Sequence, residues 1–184
     1  YLLFYTSDSD ALNTFYKLLS FFALIVHNAH VRAQLILRSF RSRNCELLTR
    51  AFTTYVRPLL EYCSSVWNPH TLCNITKIES VQRAFTKRLS GLSTHTYNDR
   101  LRELKLETLE KRRLKNDLVM CYKLLHGNVE SNFCDFFQLV NYTDTRGHNY
   151  KIAKQFSCVN AHKYNFPNRF VDAWNSSWCC KHSN

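Results

Sequence analysis

Seven basic side chains fall on two stretches of helical periodicity: Arg83, Lys87 and Arg88 on the first, Lys111, Arg112, Arg113 and Lys115 on the second. Cations gathered in this way on neighbouring helices suit the phosphates of a polyanion, where they displace condensed counterions and track a backbone. For any one Lys or Arg, a solvated surface is the plainer reading. A second candidate is Thr145-Arg146-Gly147-His148, which places the cation of Arg146 and the imidazole of His148 on a small turn. Its structural alternative is a turn that simply needs the glycine.

Other chemistries find little support. Two-metal catalysis needs paired carboxylates, and the chain has no Asp-Asp pair; Tyr5-Thr6-Ser7-Asp8 comes nearest and lacks the second aspartate. His27 and His30 stand three apart, and Cys179, Cys180 and His182 cluster near the end, but neither set supplies the four ligands of a structural zinc site. No Walker loop, Gly-x-Gly-x-x-Gly, Gly-x-Ser-x-Gly or Ser-x-x-Lys is present. No catalytic residue and no metal ligand is therefore assigned.

The basic character is regional. Of the 25 Lys+Arg and 14 Asp+Glu, residues 30–126 hold 18 and 8, which leaves a near balance on either side of them. Such a middle region favours a polyanionic partner, nucleic acid or an acidic membrane surface. With only three Gly and three Pro in 184 residues, and abundant Leu and Phe, the composition argues for packed helices. Eight cysteines are scattered without a Cys-x-x-Cys, which reads as reduced, buried thiols of an intracellular protein. Asn74, Asn141 and Asn175 begin glycosylation sequons that matter only on secretion.

The elements that must position the cations follow from periodicity. Residues 15–26 are apolar except Lys17 and Ser20, but such a run is shorter than the roughly 20 residues of a membrane span. No membrane partner is expected. A marginal helix is predicted over 11–27 and a short amphipathic one, flanked by arginines, over 31–41. Asn44 should cap a central helix running to Trp67, bent at Pro58 and stopped by Asn68-Pro69, with Leu48, Phe52, Tyr55, Val56, Leu59, Leu60, Cys63 and Val66 along its core face. Residues 71–90 form the clearest amphipathic helix, ending near Gly91, and a shorter helix is predicted over 97–106. Thr108 can cap the next, with Glu110 in its first turn and Gly127 at its end. Cations in the opening turns of that helix oppose its dipole unless an anion is bound. Residues 133–140 suit a short helix or a strand, and 159–174 one more helix.

The wording of these segments adds a resemblance. Residues 51–70 (AFTTYVRPLLEYCSSVWNPH), 78–92 (IESVQRAFTKRLSGL), 97–127 (YNDRLRELKLETLEKRRLKNDLVMCYKLLHG), 145–151 (TRGHNYK) and 165–176 (NFPNRFVDAWNS) resemble, in order, the C-terminal region of reverse transcriptases from jockey-like, LINE-type non-LTR retrotransposons. The similarity runs from about Ala29 to about Ser176 and corresponds to the region beyond the catalytic palm. It implies a mostly α, helical thumb-like bundle with a less regular C-terminal segment. Its divisions would be residues 1–29 as a cut edge or remnant, 30–127 as the basic thumb-like region, and 128–184 packed on the helices. The implied partners are an RNA template or RNA–DNA duplex and the missing palm portion, in the nucleus or cytoplasm. The family's RNA-directed DNA polymerase activity uses Mg2+ held by a palm that these residues do not include, so the chain is expected to be catalytically silent and to hold no cofactor. A purely structural helical interaction module is the alternative.

Overall fold

The computed structural model describes residues 8–140, 150–156 and 163–177, with side chains from residue 20 onward. The protein is mostly α-helical, and the isolated antiparallel bridge between Leu139 and Ile152 is the extent of β-pairing among the described residues. These residues form two compact units: residues 8–62 with Thr71–Glu110, and Cys63–His70 with the residues after Glu110.

In the first unit, α1 (Asp8–Ser39) runs through 32 residues without a break. The two helices expected over 11–27 and 31–41 are one, because the Asn28-Ala29-His30 junction contains neither Gly nor Pro to interrupt the ladder. Ala29, Ala33 and Ile36 form its buried stripe, and the two small side chains permit close approach. α1 packs against α2 (Cys45–Tyr55), α3 (Arg57–Glu61) and α5 (Leu72–Lys87).

The Asn44 cap forms as expected, its side-chain oxygen accepting from the backbone nitrogens of Glu46 at 2.8 Å and Leu47 at 3.3 Å. The single bent central helix does not form. Its sequence divides into α2, α3 and α4 (Ser64–Trp67), with Pro58 in the first turn of α3, where its missing N–H leaves no helical bond unmade. Cys63 then takes a left-handed conformation, φ 51°, and turns the chain again. Each break resets the helical phase. Leu48, Phe52, Val56 and Leu60 are buried, whereas Tyr55 and Val66, assigned to the same face by periodicity, are exposed.

α5 buries Ile78, Val81 and Phe85, and Phe85 stacks on Phe52 with ring centroids 4.5 Å apart. Losing either ring would cost about 3–5 kcal/mol. The helix ends at Lys87 with Arg88 as its cap, earlier than Gly91, which instead supplies the positive φ of 80° in the turn leading to α6 (Tyr97–Glu103). α6 is capped by Thr96, which accepts from the Asp99 backbone nitrogen at 3.3 Å.

α7 (Leu109–Leu125) closes on Gly127, φ 66°, with the Asn128 N–H reaching back to the Lys123 carbonyl at 2.8 Å. In the second unit its Cys121 and Leu124 join Phe137, Ile152, Phe170, Val171 and Trp174 in an apolar core. Residues 133–140 are neither helix nor regular strand: a single 3-10 turn (Phe133–Asp135) precedes the Leu139 bridge. The helix expected over 159–174 is, where described, two short pieces, α8 (Phe166–Arg169) and α9 (Val171–Ser177), separated at Phe170. Asn175 donates to the carbonyl of Ile152 at 3.0 Å and accepts from its N–H at 3.1 Å, so the amide of that sequon is engaged within the fold.

Candidate nucleic-acid interface

The first unit carries a basic cleft of about 480 Å³ where the end of α5, the turn after it and the start of α6 meet. α5 ends at this point, so Arg83 and Lys87, one turn apart, stand at its rim, both exposed. Arg100 rises from α6 beneath them and is 4% exposed. Its Nε donates to Thr86 Oγ1 at 3.2 Å, its Nη1 to the His95 carbonyl at 2.7 Å and its Nη2 to the Arg83 carbonyl at 3.5 Å. A cation fixed on these carbonyls suits the negative end of the α5 dipole. Ser93, His95, Thr96 and Asn98 contribute polar walls, and no carboxylate is among the lining residues.

Tyr97 is the organising side chain of the cleft. The Arg83 guanidinium lies over its ring, 4.9 Å from the centroid, and that of Arg100 is 5.5 Å away. The Tyr97 hydroxyl donates to the carboxylate of Glu79 and accepts from Gln82 Nε2 at 3.1 Å. Burial, with the Glu79 hydrogen bond second, raises the phenol well above its ordinary pKa. Gln82, fully buried, also donates to the Glu107 carbonyl at 2.9 Å, and Glu79 accepts from the Leu109 backbone nitrogen at 3.0 Å. The polar floor therefore ties α5 to α6 and to the start of α7.

Arg88, exposed, lies one position past α5, and its charge reaches α1. His30, which bonds Ser80 Oγ at 3.3 Å, has its pKa lowered first by burial, then by Arg88 and by His27. His30 is thus part of the contact between α1 and α5. Among the described residues no three His, Cys, Asp or Glu side chains gather to hold a metal ion. Cys179, Cys180 and His182 lie outside the described residues.

The second cationic group belongs to the other unit and does not stay together. Lys111 and Lys115 are exposed and Arg112 is half-buried, but Arg113 is fully buried, donating from Nε to Asn68 Oδ1 at 2.9 Å. Its assignment to a phosphate-contacting surface is corrected: on the α7 wheel Arg113 falls in line with Asp117 and Cys121, both also fully buried. Arg146 and His148 lie outside the described residues. Periodicity missed Tyr97 and Arg100 because both read as ordinary positions of a short helix. Their spacing of three, which puts an aromatic and a cation on one helical face, was the available signal.

A mostly helical protein with a basic, aromatic-floored cleft is the class that fold and site define. No family model matches the chain, and no solved structure matches it. It is similar to an uncharacterized protein of Caenorhabditis elegans, 28% identical over 120 residues, which are 64% of this chain and 60% of that protein. The chain thus spans about 60% of the length of that relative.

Proposed function

We propose that this chain is the post-palm, thumb-like part of a non-LTR retrotransposon reverse transcriptase, and that it holds an RNA template or RNA–DNA duplex without catalysing polymerisation by itself. The observation that carries the reading is the clustering of Arg83, Lys87 and Arg100 around the Tyr97 ring in a cleft with no carboxylate among its lining residues. Such a site offers phosphates two exposed charges and a rigid third cation behind them. Arg88, beside the cleft, extends the charge. The resemblance from about Ala29 to about Ser176 supports the same role. It also names the palm portion of the polymerase as the protein partner and the nucleus or cytoplasm as the place of action.

The residues present do not fit the magnesium pair of the full-length family, since the chain has no adjacent aspartates. Polymerisation is accordingly left to the palm. Among the described residues no helix is long and apolar enough to cross a membrane. A structural module that touches no nucleic acid is the second reading, and the burial of Arg113 favours it for that residue.

Fluorescence anisotropy with an RNA hairpin and an RNA–DNA duplex tests the proposal. Binding should weaken with salt, with a log–log slope of about −3 to −4 if about four phosphates are neutralised. Replacing Arg83 and Lys87 together with Gln should make that slope shallower by about 1.5–2. A flat salt response, or no binding at low salt, rejects nucleic-acid contact in favour of the structural module.

A further inference from the structure

The cations of the cleft in the first unit stand at two depths. Arg83 and Lys87 are exposed at its rim, whereas Arg100 lies beneath them and is 4% exposed. A duplex carries its phosphates along the outside of a stiff double helix, so it meets whatever protrudes from a protein surface, here the two rim cations. The recessed Arg100 stays out of its reach. A cleft of about 480 Å³ is on the scale of a small-molecule site and suits one nucleotide whose base has left the stack. An unpaired strand presents such a nucleotide without breaking base pairs.

We infer that the cleft holds a single unpaired nucleotide, so that the nucleic acid is gripped here by its single-stranded template and not by the paired duplex. This rests on the nucleic-acid reading of the same site. The Arg83 guanidinium, held over the Tyr97 ring at 4.9 Å, is a fixed planar cation on which a base can stack. Arg100 is locked by its bonds to Thr86 Oγ1 and to the carbonyls of His95 and Arg83. A guanidinium has more N–H groups than these bonds use, and the remainder serve a phosphate that enters the cleft. The exposed Asn98 brings to the wall an amide that both donates and accepts, as the edge of a base requires. Thr96 is already engaged with Asp99 and is left to its capping role. With no carboxylate among the lining residues, nothing on the walls repels the phosphate.

The test measures the affinity of the full chain, at one salt concentration, for an oligouridylate of about 12 nucleotides, a blunt RNA–DNA duplex of that length, and the duplex with an oligouridylate overhang. The single strand and the overhang duplex should bind at least tenfold more tightly than the blunt duplex. Millimolar uridine 5′-monophosphate should displace the oligouridylate, and inorganic phosphate at equal concentration and ionic strength should not. Ser93→Leu with Asn98→Leu, both at exposed positions, should fill the cleft and bring single-strand affinity down to that of the blunt duplex, with helicity unchanged by circular dichroism. The competition with the mononucleotide needs no variant and stands if that one fails to fold. Equal affinity for single strand and blunt duplex, displacement by phosphate as good as by the nucleotide, or an undiminished single-strand affinity in the folded Leu variant overturns the inference and leaves salt-dependent nucleic-acid binding in place. No binding of any of the three at low salt overturns both.

Discussion

The carboxylate of Glu79 accepts the backbone N–H of Leu109 at 3.0 Å, so that a side chain from α5 occupies the anionic position at the start of α7. A backbone N–H at the positive end of the α7 dipole thus meets a carboxylate supplied from within the first unit. Glu79 is 7% exposed and also receives the Tyr97 hydroxyl, so it closes a network linking α5, α6 and Leu109 within the first unit. Glu79→Leu should therefore lower stability by about 1.5–3 kcal/mol, the range for a hydrogen bond to a charged group. Glu79→Gln, which keeps two acceptor lone pairs, should lose less. Urea unfolding checks both, and a neutral Glu79→Leu would show that the network adds nothing.

Alkaline pH should weaken the fold through two raised groups. Burial pushes the Cys121 thiol up to about 12, and burial with the Glu79 hydrogen bond raises the Tyr97 phenol. Both groups are neutral when protonated, so the native state holds protons that the unfolded chain releases above about pH 9 for cysteine and about pH 10 for tyrosine. Their stability is fully present below those values and is lost as pH rises. Tyr97→Phe should flatten the loss above about pH 10, and melting curves between about pH 8 and pH 11 measure it. An unchanged alkaline slope in Tyr97→Phe would contradict the assignment.

His30 gives the opposite sign. Its lowered pKa means that the unfolded chain takes up a proton first as pH falls below about 6.5, so stability present above that value declines in acid. Arg88 is the largest charge responsible after burial, and Arg88→Gln should bring the His30 pKa part of the way back toward its ordinary value. Imidazole proton shifts in an NMR titration read this directly; no movement would place Arg88 too far from His30 to act.

Arg169 and Asp117 form the corresponding device of the second unit. Two hydrogen bonds of 2.8 Å join them, and Arg169 Nη2 also reaches the Ser64 and Ser65 carbonyls at 3.3 and 3.0 Å. Asp117 is fully buried, so Arg169→Met alone should cost about 3–5 kcal/mol by leaving the carboxylate unpaired. Arg169→Met with Asp117→Leu should recover much of that loss. A double-mutant cycle in urea would show no coupling if the pair were incidental.

How far the sequence could be read depended on whether neighbours or distant contacts decide a position. The Asn44 cap, the Ile78, Val81 and Phe85 part of the α5 stripe and the Gly127 stop use residues within one or two turns, and all three form, whereas Leu72 at the start of that stripe is exposed. The division of the central helix was not legible, because a proline marks a bend or a new helix equally well and only the left-handed Cys63 and the packing around it choose. In the cleft, Arg83 and Lys87 were legible as cations on a helix that ends at the surface. Arg100 was not, since its partners at Thr86 and His95 become neighbours only when the turn after α5 folds back.

Arg112 and Arg113 make the sharpest separation between binding and folding. Adjacent in sequence and equal in charge, they differ by about 100° around α7, and that rotation carries Arg113 to full burial beside Asn68 while Arg112 stays half-buried. Arg113→Gln removes a buried guanidinium and its bond to Asn68, and should lower stability by about 1.5–3 kcal/mol without changing the salt slope of nucleic-acid binding. Arg83→Gln with Lys87→Gln should do the reverse: stability within about 0.5 kcal/mol of the parent, as for exposed positions, and a shallower slope. Measuring melting temperature and salt-dependent affinity on both variants decides the matter. If Arg113→Gln kept its melting temperature and lost affinity, the cations of α7 would be the binding surface and the cleft beside Tyr97 would not.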